Sequence, residues 1–395
     1  MTTAQRDTET SELSIWNGTF RANPGYELLP FERLTPDQQD LFSALKNDPD
    51  FYGVLRPRQA TGLAAKSACQ QTAHLFNRLA EPEPLMLADR TTALRRQIVE
   101  LVLDGVLQIL YRGEFVHGSR AFTAVCGAGP RPQAATELAH LSYEALRYAQ
   151  ALPFRDAVTL SGRLYSWGRI PATPTWLRQF PNEQAVRECL LINDGAKNAL
   201  RLDPRWKPLP PDPDNDGWLF WQSRRPIMGP TAAYKLYLSP HPGHLREAFE
   251  AMVPAIEHCC ANAFKIGKDL SGVLRPDKII IYFSRQEQAE EAAARILAQL
   301  KGCPAHGVPF TAQFGSPLLS WGKDPAAERG VPPWLARQSW RLWVTNRLAV
   351  ALAQAMQQAD DHPAASPQPW IFALDRLSLE GIDTNTWTPI QKENN

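Results

Sequence analysis

The stretch AFKIGKDLSGVLRPDKIIIYFS, residues 263–284, is the most informative part of this chain. Its two apolar runs, 263–266 and 278–283, predict short β-strands. The stretch also carries four cations, Lys265, Lys268, Arg275 and Lys278. Strand interiors usually avoid lysine, and only Asp269 and Asp277 stand nearby as counter-charges. The concentration of positive charge in a sheet therefore needs a chemical explanation.

The segments on either side of this stretch predict the fold class. Residues 217–223 and 234–239 alternate in polarity, as strands of an antiparallel sheet do. Residues 241–260 and 285–302 have the composition of helices, and Gly302 ends the second. The order strand, helix, strand, strand, helix predicts an α+β fold. We expect a helical N-terminal region packed on a C-terminal antiparallel or mixed sheet with flanking helices.

Changes of composition along the chain predict its division into segments. Residues 203–217 contain five prolines, too many for a helix or a strand. Upstream, residues 90–113 and 132–152 place apolar side chains at helical spacing. The predicted segments are an extended lead (1–35), a helical N-terminal domain that binds a peptide or a partner (36–202), a proline-rich linker or loop (203–216), an α+β domain (217–358) and a C-terminal tail (359–395).

Charge and hydropathy exclude several classes of partner. The 395 residues carry a net charge of +1, so no field of the whole protein draws it to nucleic acid or to an anionic membrane. The longest apolar run, 98–110, contains Glu100 and Asp104 and is too short and too charged to span a bilayer. The N-terminus, MTTAQRDTETSELS, lacks the apolar core of a signal peptide. We predict a cytoplasmic protein with no nucleic-acid partner and no membrane partner.

The sequence also lacks the usual motifs of cofactor and metal sites. It has no GxGxxG, no P-loop and no HExxH, and its histidines and cysteines do not follow metal-ligand spacing. The six cysteines form no CxxC pair, which fits a reducing compartment. We therefore predict a protein without metal or organic cofactor.

Strand periodicity predicts that the cations gather on one face of the sheet. Lys235 and Tyr237 are two residues apart in one strand, so they share a face while Leu236 and Leu238 point to the core. Lys265, Arg275 and Tyr282 join that face if their strands are neighbours. Such a cluster repels itself unless an anion binds in it, and phosphate or a carboxylate is the natural ligand. The alternative is a solvated face, or salt bridges to acidic residues elsewhere.

These residues resemble a known family. The segments YKLYLS (234–239), FKIGKD (264–269) and KIIIYF (278–283), together with Arg275, are similar in order and spacing to those of type III effector phosphothreonine lyases. With GRLYSWGRIP (162–171) and GWLFWQSRR (217–225) included, the chain resembles Hop-type effector relatives over about residues 155–345. Those relatives occur with kinase-like proteins in gene clusters for ribosomally made, modified peptides such as thioamitides and lanthipeptides.

The resemblance implies a reaction and a role for each site residue. It implies β-elimination of phosphate from phosphoserine or phosphothreonine in a precursor peptide, leaving a dehydroamino acid, with a kinase-like modification enzyme as partner. Lys265 matches the base that removes the α-proton, and Tyr282 would donate to the enolate-like amide oxygen. The residues implied in phosphate binding are Lys235, Arg275, Lys278 and Lys268.

One position departs from the family pattern. Lyases carry a histidine two residues after the strand lysine, whereas this chain has Tyr237. Tyrosine is a possible acid, but its pKa near 10 makes it a different one. Two alternatives therefore stay open. The protein could be a non-catalytic subunit that binds a phosphopeptide or leader within a modification complex, or a secreted effector that acts on host phosphoproteins.

Overall fold

A computed structural model describes most of the chain. The described residues are 17–58, 63, 65–85, 91–127, 132–192, 202, 205–210, 216–225, 233–326, 338–361 and 368–390. Among them, no helix is both long and apolar enough to cross a membrane.

The regular elements are labelled in chain order. The strands are β1 (Thr19–Ala22), β2 (Tyr26–Pro30), β3 (Phe51–Pro57), β4 (Lys66–Cys69), β5 (Glu83–Pro84), β6 (Leu107–Tyr111), β7 (Glu114–Val116), β8 (Trp206–Pro208), β9 (Trp218–Ser223), β10 (Tyr234–Leu238), β11 (Ala263–Gly267), β12 (Ile279–Phe283), β13 (Ala312–Phe314), β14 (Ser316–Lys323), β15 (Ile382–Asp383) and β16 (Thr388–Pro389). The α-helices are α1 (Pro36–Leu41), α2 (Gln70–Arg78), α3 (Thr92–Leu103), α4 (Phe122–Cys126), α5 (Glu137–Gln150), α6 (Ala157–Ser166), α7 (Pro174–Gln179), α8 (Glu183–Cys189), α9 (Leu245–His258), α10 (Leu270–Val273), α11 (Gln286–Gln299), α12 (Trp340–Asp361) and α13 (Pro369–Leu379).

A seven-stranded antiparallel sheet forms the C-terminal half. Its order is β13-β14-β10-β12-β11-β9-β8, so β12 lies between β10 and β11. Helices α9 and α11 cover one face, where Leu236, Phe264 and Ile281 are buried against Phe249 and Ile296. Alternating side chains supply this core because successive residues of a strand point to opposite faces. The predicted α+β class, with its antiparallel sheet and flanking helices, is confirmed.

A close backbone approach shapes the turn that follows β11. A Cβ atom on Gly267 would lie 2.3 Å from the backbone of Gly272, so this turn requires glycine. Asp269 caps α10 by accepting a hydrogen bond from the Gly272 amide at 2.9 Å. The turn fixes the start of the segment that leads to Arg275 and β12.

The N-terminal region differs from the expected helical domain. Strands β1 and β5–β7 form a four-stranded sheet, and β2–β4 form a three-stranded sheet. The segment 90–113 is not one helix: α3 ends at Leu103, and β6 begins at Leu107. Gly105 adopts φ +76°, a backbone conformation that stops the helix and that glycine tolerates. Within the expected extended lead, 1–35, residues 19–22 form β1 and residues 26–30 form β2, and residues 1–16 lie outside the described part.

The C-terminal region also differs from the expected tail. Residues 369–379 form α13, whose Trp370, Phe372 and Leu374 are buried against a second core made largely by α3, α5, α6 and α12. Trp387, which follows α13, is completely buried beside Phe310. This segment contributes apolar burial and is part of the fold. The expected linker, 203–216, is described only in part, and that part contains β8, the edge strand of the large sheet.

Helices α6 and α12, one before and one after the large sheet in sequence, pack together over its second face. Ser161 on α6 donates a hydrogen bond to Asn346 on α12 at 2.6 Å. Arg341 on α12 donates to the backbone carbonyl of Tyr165 on α6 at 2.9 Å. These bonds set Tyr165 and Arg341 side by side above the sheet.

Candidate active site

The second face of the large sheet carries the predicted polar residues. Across neighbouring strands, Lys265 lies opposite Ile280, and Ile280 lies opposite Tyr237. Two residues further along β12, Tyr282 lies opposite Lys235. Because side chains two residues apart share a face, Lys235, Tyr237, Lys265 and Tyr282 project from the same side, as strand periodicity predicts.

An indole ring brings Lys265 and Arg275 together. The Lys265 Nζ lies 4.3 Å from the centre of the Trp218 ring, and the Arg275 Cζ lies 4.8 Å from it. A cation above an aromatic face is attracted by the ring quadrupole. Trp218, at the start of β9, thus holds two like charges close to each other.

A buried carboxylate organises the arginines. Asp277 accepts hydrogen bonds from the Nε and Nη2 atoms of Arg275 at 2.8 and 2.9 Å. The Arg341 Nη1 lies 2.7 Å from Asp277 Oδ2, the oxygen that also accepts from Arg275 Nη2, and the side chains of Arg341 and Asp277 are only 1% exposed. Tyr165 donates to Asp277 at 3.3 Å. Burial alone would raise the pKa of Asp277, but the two guanidiniums outweigh it and hold that pKa well below its usual range.

A second carboxylate pairs with Lys235. The Lys235 Nζ lies 2.7 Å from an Asp324 oxygen, and the Lys235 side chain is 10% exposed. The same ammonium lies 5.5 Å from the centre of the Tyr282 ring. Asp324 directly follows β14, so the strand next to β10 supplies this counter-charge.

The pKa of Lys265 is lowered to about 8. Burial is the main cause, because desolvation penalises the charged amine, and the positive charge of Lys235 is the next. A lysine with such a pKa is substantially neutral near pH 8 and can accept a proton.

The face as a whole is positively charged. Among the described residues, and apart from Lys278, whose amine is bonded to His306, four cations, Lys235, Lys265, Arg275 and Arg341, face two carboxylates, Asp277 and Asp324. Counted over these described groups alone, the excess is two positive charges with Lys265 protonated and one with Lys265 neutral, in a largely buried site. A phosphate dianion would balance that excess.

Lys278 lies on the same face but is completely buried under His306. The Lys278 Nζ is 2.7 Å from His306 Nδ1, and His306 Nε2 lies against the carbonyl of Gly168. Because a carbonyl only accepts, Nε2 carries the proton and Nδ1 accepts from Lys278. Burial lowers the pKa of Lys278 to about 7, and burial together with Lys278 lowers that of His306 to about 4. In this conformation the Lys278 amine is bonded to the His306 side chain of the same protein and does not face solvent.

The remaining predicted residues occupy distinct positions. The Lys268 ammonium pairs with Asp216 at 2.7 Å. Tyr237 is 2% exposed, and burial raises its pKa well above its usual value. Burial raises the pKa of Tyr282 as well. Both hydroxyls therefore stay protonated at neutral pH and can donate hydrogen bonds.

Sequence patterns did not indicate several residues that complete this site. These residues are Tyr165, Arg169, Trp218, His306, Asp324 and Arg341. Trp218 belongs to a strand of the sheet itself and Asp324 directly follows one, whereas the other four come from helices and loops whose position against the sheet depends on the tertiary fold. The signal available for Asp324 was its place at the end of a predicted strand, SWGKD.

A possible set of metal ligands lies elsewhere. Ligand atoms of His244, Glu247 and Cys303 come within 4.8 Å of one another at the start of α9. The His244 Nδ1 is 3.0 Å from Glu247, a spacing that an ion pair at a helix start also explains. On the cation-rich face the carboxylates Asp277 and Asp324 are already paired with cations, and the amines and guanidiniums there are not typical metal ligands.

The comparisons with known proteins concern the fold. No family model and no curated protein matches the chain. It is similar to the solved structure of an effector protein from Pseudomonas syringae pv. tomato, 12% identical over 65% of this chain and 100% of that one, with a TM-score of 0.43. It is also similar to an effector protein from Pseudomonas syringae pv. syringae, with 13% sequence identity over 66% of this chain and 100% of that one and a TM-score of 0.39. A third similar structure is that of OspF from Shigella flexneri, a type III effector and phosphothreonine lyase, with 12% sequence identity over 42% of this chain and 91% of that one and a TM-score of 0.27. The structures similar to this chain thus include effectors and a phosphothreonine lyase.

Proposed function

We propose that this protein is a carbon–oxygen lyase that eliminates phosphate from phosphoserine or phosphothreonine in a peptide. The observation that supports it most is the position of Lys265. This amine has a pKa of about 8 and lies beside three other cations, Lys235, Arg275 and Arg341, which outnumber the two carboxylates Asp277 and Asp324 even when Lys265 is neutral. A base of suitable pKa beside a binding site for a dianion is what β-elimination of phosphate requires.

Each step of the reaction has a group on this face. The neutral Lys265 amine removes the α-proton and becomes an ammonium. The electron pair left on Cα forms the Cα–Cβ double bond, and the Cβ–Oγ bond breaks with both its electrons going to the phosphate. Lys235 and Arg275 stabilise the charge that grows on that phosphate. Tyr282, whose hydroxyl stays protonated, would donate to the amide oxygen.

Tyr237 is the residue on which a second function depends. Its raised pKa makes it a weaker acid than histidine, although its hydroxyl can still hydrogen-bond to the leaving oxygen. Phosphate can also leave as a dianion if the surrounding cations neutralise it. If neither suffices, the same face would bind a phosphopeptide without cleaving it, as a binding subunit does.

The proposal is tested by mass spectrometry of phosphoserine and phosphothreonine peptides incubated with the full-length protein. Loss of phosphoric acid, giving a dehydrated residue, is the expected result. Loss of the phosphoryl group alone would identify a phosphatase and contradict the proposal. Unchanged peptide that nevertheless binds in a phosphate-dependent way would favour the binding subunit.

The biological setting is part of the same proposal. We infer a phosphorylated precursor peptide as substrate, a kinase-like enzyme that supplies the phosphate, and cytoplasmic action in modified-peptide biosynthesis. The alternative is an effector that uses the same chemistry on host phosphoproteins. Relative rates on a leader-bearing precursor phosphopeptide and on folded phosphoproteins distinguish the two, because an effector would prefer the latter.

The rate of elimination should rise with pH. Only the neutral amine of Lys265 accepts a proton, so kcat/KM should increase about ten-fold per pH unit below a pKa of about 8 and level off above it. Initial rates measured from about pH 6.5 upward, where the phosphate is already largely a dianion, give this rising limb of the pH–rate profile. A flat profile, or one that falls with pH, would exclude Lys265 as the base.

Two substitutions should move that limb in opposite directions. Lys235 lowers the pKa of Lys265, so Lys235→Met should shift the limb to higher pH. Asp324 raises that pKa, so Asp324→Asn should shift the limb to lower pH. Identical limbs in the two variants would show that the titrating group lies elsewhere.

Removal of the Tyr237 hydroxyl should slow turnover. If the hydroxyl protonates or hydrogen-bonds the leaving oxygen, Tyr237→Phe should reduce kcat by about 10²-fold, the lower end for a general acid. Tyr234→Phe is the matched control, because Tyr234 is in the same strand and points to the other face. An unaltered rate in Tyr237→Phe would show that phosphate leaves with cationic stabilisation alone.

A further inference from the structure

A small cleft opens beside the candidate active site, next to the C-terminal end of α6. Its volume is about 50 Å³. The residues that line it are Tyr165, Ser166, Arg169, Arg275, Pro276 and Asp277. Arg275 therefore borders both this cleft and the face that carries Lys265.

Arg169 is held in place at the cleft. Its Nη1 donates to the carbonyl oxygen and to the hydroxyl of Ser271, at 2.7 and 2.8 Å. Within the part of the chain that the structure describes, no carboxylate forms an ion pair with Arg169. Burial lowers the pKa of Arg169 and the like charge of Arg275 lowers it further, whereas the charges of Asp277 and Asp269 act in the opposite direction without cancelling the shift. The two guanidiniums repel each other across a space large enough for a small ligand.

The charge of the cleft sets the kind of ligand it would bind. Asp277 already occupies the Nε and Nη2 atoms of Arg275, which leaves Nη1 outside that pair. Arg169 adds one positive charge beyond those counted for the face itself. One guanidinium without an ion pair among the described residues, a second with a free nitrogen, the nearby negative charge of Asp277 and a small volume together favour a singly charged carboxylate over a phosphate dianion.

We propose that this cleft binds the carboxylate of an aspartate or glutamate close in sequence to the phosphorylated residue of the substrate. The proposal rests on the function proposed above and adds a substrate preference to it. Because Arg275 borders both places, the phosphate and the carboxylate would bind to neighbouring positions of one peptide. Arg169 would then be a specificity residue that contacts the substrate away from the reacting atoms.

The test uses short fluorescein-labelled phosphopeptides with glutamate placed at each position around the phosphorylated residue, each matched by a peptide with glutamine there. Dissociation constants are measured by fluorescence anisotropy for the full-length protein. At one position glutamate should bind about ten-fold more tightly than glutamine, as for a charged hydrogen-bonded pair. In Arg169→Gln that advantage should fall below about two-fold, and in Arg169→Lys it should be intermediate.

The matched control is Arg163→Gln. Arg163 is an exposed arginine of α6 whose guanidinium packs on Phe154, away from the cleft. The proposal is overturned if glutamate gives no advantage at any position, if the advantage survives in Arg169→Gln, or if Arg163→Gln removes it equally. Unphosphorylated versions separate the two hypotheses: if phosphate adds nothing to affinity, the proposed function fails, whereas the glutamate advantage still reports on the cleft.

Discussion

Replacement of Lys265 by methionine should abolish elimination while the phosphopeptide still binds. The ammonium is one of four cations on the face, so its loss removes part of the attraction for phosphate but not the other three charges. The lost proton acceptor has no substitute at the same place: Lys278, the nearest lysine with a lowered pKa on this face, is bonded to His306. We expect turnover to fall by about 10²–10⁴-fold, the range for general base catalysis.

Single-turnover rates and dissociation constants on one phosphopeptide separate these two effects. Lys323→Met is the matched control, because Lys323 is in the same sheet, is exposed and packs on Tyr234 away from the site. In Lys265→Ala, added ethylamine should restore part of the rate, with a pH dependence that follows the added amine. Retained turnover in Lys265→Met would remove Lys265 as the base, whatever the binding shows.

The face of the sheet could be predicted from the sequence because strand periodicity is a local property. The spacing within YKLYLS and AFKIG places the lysines of both strands on the side opposite the apolar residues, and the observed register agrees. What periodicity could not supply is the counter-charge. Asp277 precedes β12 in a loop, and its second arginine, Arg341, arrives from α12, so the buried triad depends on the tertiary fold.

The N-terminal region shows why hydropathy patterns misplaced an element. The run IVELVLDGVLQIL is apolar except for Glu100, Asp104 and Gln108, and helical spacing fits its first half. The helix ends in a turn at Asp104 and Gly105, where Gly105 has a positive φ. Apolar residues then continue as strand β6. Short apolar segments are compatible with either structure, and packing against β1 decides between them.

The position of a residue on the sheet and its chemical role are separate predictions, made from strand periodicity and from the family resemblance respectively. Periodicity concerns which residues share a face, and the structure shows that arrangement. The role of each residue depends on protonation and on access to a substrate. Lys278 illustrates the difference: it lies on the expected face, yet its amine is covered by His306 and turned away from solvent. Its predicted role in phosphate binding would require that His306 move.

Replacement of Asp277 by asparagine should be among the most destabilising single changes in this chain. The substitution keeps the size of the side chain but removes the negative charge between two arginines, one of them completely buried. An uncompensated buried charge costs about 3–5 kcal/mol of unfolding free energy when its partner is removed. Urea denaturation at pH 7 measures this loss, and Asp216→Asn, which removes the carboxylate of an exposed pair with Lys268, is the control, for which we expect little or no loss because solvent screens exposed ion pairs.

The pH dependence of stability gives the same prediction a second measurement. The pKa of Asp277 is lower in the folded protein than its unfolded value of about 3.9, so its contribution is complete above that value and is lost as the pH falls. The unfolding free energy of Asp277→Asn should therefore decline less steeply below about pH 5 than that of the unaltered protein. A double variant that also replaces Arg341 with methionine should recover part of the loss, because it removes one of the stranded charges. A loss below about 1 kcal/mol in Asp277→Asn would mean that water reaches the arginines, and that the excess charge attributed to a closed site is already solvated.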